Sequence, residues 1–263
     1  MSNILLVIAL VTCLISLCLF IFGNTQKAGR REKIGIIFYK ASICALTLLI
    51  VLRWLKAERL PFANMYEALV LYAWAIGCVY LVFEYLYKAV LLAPFAALID
   101  TFLLVVLLFQ DATIKPLMPA LQSKWMAIHV TTYFIGYAAI TLAFMLSVSY
   151  LMLSRKKKTS LLFLNTLDNL SYQLIIFAFP FLTLGMTTGS MWANFAWGSY
   201  WFWDPKETCS LITWLVYLVY LHGRLLLGWQ RNIANWLSTL GFVATLFTFI
   251  GVNYILPGLH SYA

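Results

Sequence analysis

The chain has 263 residues, of which 63% are hydrophobic and only 10% charged, with a formal net charge of +9. These proportions exclude a soluble globular domain and imply an all-α polytopic integral membrane protein. The basic excess does not point to nucleic acid, because the lysines and arginines sit in short loops between apolar runs, where they set orientation and meet anionic membrane lipid. The five cysteines form no C-x-x-C pair and no zinc-like spacing, so neither a dithiol centre nor a structural zinc site is indicated.

A membrane-spanning helix needs about 20 apolar residues. Eight segments qualify: 4–23, 34–55, 65–86, 89–110, 126–153, 173–187, 208–227 and 234–255. The first has no basic region before it and a basic cluster after it (Lys27, Arg30, Arg31, Lys33), so it reads as a retained helix with its N-terminus outside. Alternation from there puts Lys88, Arg155 to Lys158, Arg224 and Arg231 on the cytoplasmic side, in agreement with the positive-inside rule. The segment 53–67, RWLKAERLPFANMYE, reads as an external hairpin with Pro61 and Asn64 as turn or cap residues and Glu67 in the first turn of the third span. The external loop 111–124 carries no interpretable pattern. The stretch SLLFLNTLDNLSY, with Asp168, reads as an interfacial connector on the cytoplasmic surface before a short sixth span interrupted by Pro180.

The most unusual stretch begins at Gly189. It holds Trp192, Trp197, Trp201 and Trp203, followed at once by Asp204, Pro205, Lys206 and Glu207. Asp204 as N-cap, Pro205 at the first helical position and Glu207 three residues after the cap predict a capping box that starts the seventh helix. The tryptophans are then expected in an external loop. They suit a membrane-interface belt, and equally the stacking surface that a large planar ligand needs.

Only three histidines occur, and the helix count places them. His129 near the start of the fifth span and His260 just past the eighth fall on the same side as the tryptophan loop. Each reads either as a hydrogen-bonded bystander or, with its counterpart, as an axial ligand for haem iron. Trp125 and Tyr133 lie four residues either side of His129 and are expected to wall it. His222 lies about 14 residues into the seventh span, some 20 Å from the loop at 1.5 Å per residue. An ionisable residue at that depth is a functional candidate, with interfacial snorkelling as the alternative. Leu211, Leu215 and Leu218 share its face. Lys206 reads as solvated or as the partner of an anionic ligand group, and no residue reads as a dedicated acid or base.

The run WGSYWFWDPKETCSLITWLVYLVYLH, with TLGMTTGSMWANFAWG before it, RW…PFANMYEAL near residue 60 and GLHSYA at the end, resembles the tryptophan-rich signature of the CcsA (ResC) branch of the haem-handling proteins of cytochrome c biogenesis. The resemblance runs from about Arg53 onward, the first two spans matching only in hydropathy. It divides the chain into two N-terminal spans (1–55) and a haem-handling core (56–263) with an external loop at 187–207.

The resemblance implies that haem b is bound by this loop through Trp192, Trp197, Trp201, Trp203 and Asp204. It makes His129 and His260 the axial ligands, and His222 part of a second, intramembrane site. It further implies a CcsB/ResB-like membrane partner that completes the inner site, apocytochrome c as the acceptor, and separate thiol–disulfide proteins as reductant. The expected activity is that of a cytochrome c haem lyase joining haem vinyl groups to C-x-x-C-H thiols, in a bacterial inner membrane or a thylakoid. Rival expectations are a CcmC-type haem carrier, a structural subunit with an aromatic belt and, more remotely, a quinone-binding protein.

Overall fold

The computed structural model describes residues 2–22 and 28–252. Eight long helices follow one another: α1 Ser2–Ile21, α2 Ala28–Ala57, α3 Met65–Tyr87, α4 Leu92–Leu107, α5 Lys124–Leu153, α6 Leu161–Trp197, α7 Pro205–Leu225 and α8 Arg231–Leu246. A π-helical turn, Phe247–Gly251, continues α8. No strand occurs among the described residues, as expected where each backbone N–H must be satisfied within its own segment. Six helices are long and apolar enough to cross a membrane; the others are α4, which is shorter, and α7. The protein is a polytopic, all-α membrane protein.

The eight helices coincide in order with the eight expected segments, six of them long and apolar enough to span, and the course of α6 is corrected. Residues 161–172 are not a separate interfacial helix, and residues 187–197 of the expected loop are helical. Both belong to α6, whose 37 residues run unbroken through Pro180 and extend about 55 Å at 1.5 Å per residue. Asp168, expected at the surface, is 1% exposed.

The chain forms two compact units, residues 1–119 and 120–263. In the first, α1 lies against α2 and α4, and α3 against α4 and α2. Its buried polar groups are paired across helices: Tyr39 donates to Asp100 at 2.6 Å, and Cys13 donates to the Ala97 carbonyl at 3.3 Å while accepting from Thr101. At one end, Asn64 caps α3 by accepting from the Glu67 N–H. The Glu67 carboxylate takes Arg53 and Arg59, each at 2.9 Å, and the Ala63 N–H at 2.8 Å. The two guanidinium groups and the Asn64 amide then hold the loop carbonyls of Ala112, Lys115 and Thr113. The 53–67 segment is therefore a buried ionic clasp as well as a capped hairpin.

In the second unit, α5 packs on α6 and α8, and α7 on α8 and α6. Arg224 of α7 forks onto both oxygens of Asp168 at 3.2 and 2.9 Å, and Asn235 of α8 donates to the same carboxylate at 2.7 Å. The guanidinium also lies 4.8 to 4.9 Å from aromatic faces in both clusters, Arg53 over Tyr66 and Arg224 over Tyr172. Ser147, Ser171 and Ser238 join α5, α6 and α8 by hydrogen bonds of 2.8 and 3.0 Å. Three helices thus converge on one carboxylate. Asp168→Ala leaves the largely buried Arg224 guanidinium without its carboxylate and the Asn235 amide with only the Arg231 carbonyl, which costs about 3–5 kcal/mol; the expected result is a clearly lower midpoint of thermal unfolding in detergent, whereas an unchanged midpoint would remove the carboxylate from this role.

Candidate functional site

The site begins where α5 and α6 come close together. Gly185 and Gly189, four residues apart on α6, form a small-x-x-x-small face of the kind that lets membrane helices approach. A Cβ on Gly189 would lie 2.5 Å from His129 Nδ1, and one on Gly185 would lie 2.8 Å from the Tyr133 ring. The absent side chains are the space those two rings occupy. His129 Nδ1 stands 2.8 Å from the Gly185 carbonyl. A carbonyl only accepts, so Nδ1 carries the proton and the lone pair of the neutral imidazole is on Nε2, the arrangement that metal-binding histidines use.

Tyr133 meets the imidazole edge-on, with centroids 5.0 Å apart, and Trp192 stacks along it at 5.9 Å and 21°. Trp192 is 1% exposed, and its indole N–H donates to the Ala120 carbonyl at 2.7 Å. Trp197 packs edge-on against Trp192 at 4.9 Å.

After Trp197 the chain leaves the helix at Gly198 and re-enters one at Pro205. The expected capping box is present: the Asp204 side chain accepts from Lys206 N–H at 3.1 Å, and Glu207 reaches back to the Asp204 N–H at 3.2 Å. The same Glu207 oxygen, Oε2, also accepts from Phe202 N–H at 2.8 Å. Its two amides flank Trp203, whose φ of 58° lies in the left-handed region. A bulky residue there stores about 1–3 kcal/mol of strain. The clamp keeps the Trp203 indole 69% exposed and edge-on to Trp201 at 5.8 Å.

These groups surround a cavity of about 170 Å³. His129, Tyr133 and Tyr137 line it from α5, and Met186, Gly189 and Trp192 from α6. Trp201 closes it from the loop, Lys206, Glu207 and Ser210 from α7, and Phe249 from the π-helical turn. Phe249 meets Phe134 and Tyr137 edge-on at 5.8 and 6.3 Å. Lys206 is half-buried, and this burial pushes its ammonium pKa down to about 8, with Asp204 acting in the opposite sense. It is the one lysine or arginine on the wall among the described residues. An aromatic cavity with an imidazole and a cation on its wall suits a flat, largely apolar molecule bearing an anionic group.

Of the residues singled out from the sequence, the structure brings together His129, Trp192, Trp197 and Trp201, with Asp204, 6% exposed, shaping the loop behind them. His260 lies outside the described residues. His222 is exposed on α7 beside Leu215 and Leu218, which are 43% and 38% exposed, and is not on the cavity wall. Trp125 does not wall His129; it is 42% exposed, and the second ring is Trp192 of the facing helix. The sequence reading missed Gly185 and Gly189, although their spacing is a recognisable signal. It also left Tyr137, Ser210 and Phe249 unassigned, because nothing local marks them.

The fold is that of a polytopic helical membrane protein with a cavity walled by histidine, tyrosine and tryptophan. The sequence model described as Cytochrome C assembly protein matches residues 62–260, and the chain belongs to that family, in its CcsA-type branch. Its relatives include cytochrome c biogenesis protein CcsA of Chlamydomonas reinhardtii, 42% identical over 228 residues and covering 82% of this chain and 65% of that one. The Guillardia theta protein is 36% identical over 97% of this chain and 94% of its own length, and the Microcystis aeruginosa protein 35% identical over 84% of each. The Guillardia alignment reaches into the first two helices, beyond the part of the chain where the resemblance was expected. Among solved structures, cytochrome c haem lyase CcmF shares the fold with a TM-score of 0.72 and 21% identity, covering 94% of this chain and 46% of that one.

Because the native state releases the Lys206 proton near pH 8 while the unfolded chain keeps it to about the ordinary value of 10.5, the unfolded state binds more protons in that window. Stability contributed by this residue therefore rises with pH from about 8 to 10.5. Unfolding midpoints of Lys206→Met should lack that part of the wild-type slope, and identical slopes would show that the ammonium is not held as described.

Proposed function

We propose that the chain is the haem-handling subunit of a cytochrome c haem lyase. The observation that carries this reading is the His129 imidazole, fixed by the Gly185 carbonyl, stacked on Trp192 and facing a cavity closed by Trp201. Haem b, as substrate, is held at the external face with His129 and His260 as axial ligands and Trp192, Trp197, Trp201 and Trp203 as its aromatic surroundings. Lys206 receives a propionate at the rim. With a CcsB/ResB-like partner, the protein presents the vinyl edge to the C-x-x-C-H thiols of apocytochrome c, after separate thiol–disulfide proteins have reduced those thiols.

The chain's own contribution is positioning. A bimolecular addition becomes effectively intramolecular when the reacting edge is held in place, and imidazole ligation is one lever that tunes the reduction potential of the iron. One of the two axial histidines must yield to the histidine of the acceptor motif. The exposure of His222 with Leu215 and Leu218 supports a second site completed by the partner, since a lone imidazole on an outward face of a membrane helix supplies half a ligand set.

Visible spectra of the purified protein test this. The wild type should show a low-spin bis-imidazole Soret spectrum that His129→Ala or His260→Ala disrupts and added imidazole restores, with His222→Ala leaving the outer-site signal intact. A colourless wild type under haem-replete conditions would leave only a structural role. Gly189→Ala should reduce haem content several-fold at normal protein yield, because its methyl group takes the space of the His129 ring while alanine favours the helix by about 0.5–1 kcal/mol. Full haem content in that variant would contradict ligation by His129.

A further inference from the structure

Glu207 completes the capping box with only one of its two oxygens. Oε2 accepts the N–H groups of Phe202 and Asp204. Oε1 is buried and accepts from no group among the described residues. The side chain is 8% exposed and lies on the cavity wall. A buried carboxylate oxygen without a donor is destabilising, and a cap does not require it.

The neighbouring polar groups point elsewhere. The Ser210 hydroxyl donates to the Glu207 backbone carbonyl at 2.7 Å, and the Thr248 hydroxyl to the Ala244 carbonyl at 2.8 Å. The titratable groups on the wall are His129, Tyr133 and Tyr137 of α5 and Lys206 of α7 itself; α6 and the π-helical turn bring none. Two amide bonds hold the carboxylate in one orientation, so Oε1 is a fixed acceptor without a donor, on a residue that lines the cavity.

The chemistry of the ligand narrows what that acceptor meets. All four pyrrole nitrogens of haem are on iron, so the ring has no N–H to give, and a propionate beside Lys206 is ionised. The proton that enters with the reaction is the S–H of the acceptor cysteine. We infer that Glu207 is the acid–base residue of thioether formation, its Oε1 taking the thiol proton and returning it to the vinyl group. This inference rests on the haem-lyase reading above. The S–H bond and the vinyl π bond break. A C–S bond forms at the vinyl carbon attached to the ring, a C–H bond forms at the terminal carbon with the proton from Glu207, and the carboxylate is regenerated. No electrons are gained or lost overall.

Glu207→Gln separates this role from the cap, because the glutamine carbonyl still accepts both amides. In the complex with its partner subunit, the variant should bind haem with an unchanged Soret spectrum, and the haem-free variant should melt no lower than wild type. Haem attachment to a C-x-x-C-H peptide should slow by about 10²–10⁴-fold, the span of general acid–base catalysis. Bound haem with an unchanged rate would overturn the acid–base role and leave the haem reading standing. A variant that melts far below wild type would make the charge structural and overturn the inference. A wild type that binds no haem would overturn the functional reading itself.

Discussion

The ring of His129 occupies the volume that a side chain at residue 189 would fill. That close approach of α5 and α6 governs much of the site. It brings the imidazole within 2.8 Å of a helical carbonyl, which selects the tautomer, and it lays the ring along Trp192, three residues further on the same helix. Tyr133 fits above Gly185 one turn deeper by the same means. A membrane offers little hydrophobic gain for packing one apolar helix on another, so small residues and close contact must supply the association. Here the contact that joins the helices also orients the candidate ligand.

The continuity of α6 matters for the same reason. Its one end is tied to α7 and α8 through Asp168, and its other end carries Trp192 and Trp197. A break at Pro180 would uncouple the two. Pro180 lacks the N–H that would bond one turn back, a loss that membrane helices tolerate when neighbours re-satisfy the backbone. Trp214 of α7 donates to Thr183 at 2.9 Å and stacks on Phe179, bracing α6 on both sides of the proline.

Much of this could be read from residue order. Span count, loop charge and helix caps depend on local pattern, and Asn64, Asp204 and Glu207 cap as their spacing predicts. Parity placed His129 beside the tryptophans. What failed depended on distant partners. Asp168 and its flanking asparagines lower local hydropathy enough to resemble a surface connector, but its counter-charge is Arg224, 56 residues away. The i±4 rule named Trp125 as a wall because it knows only one helix; the stacking ring comes from the facing helix. The 53–67 segment shows a capped turn, yet the reason for two arginines there is a single buried carboxylate, which only the fold reveals.

The buried carboxylates also differ in how fully they are used. Glu67 accepts from two guanidinium groups and a backbone amide, and Asp168 from a guanidinium and an amide side chain. Both are surrounded by donors, as a buried charge must be if it serves only to hold helices together. Glu207 is held as firmly, but by donors to one oxygen alone, and those donors fix the strained backbone around Trp203. Loop shape is therefore set on the Oε2 side, while Oε1 accepts from no group among the described residues. A carboxylate divided in this way fits the acid–base role inferred for it, since one oxygen is without a donor while the other keeps the aromatic loop in place.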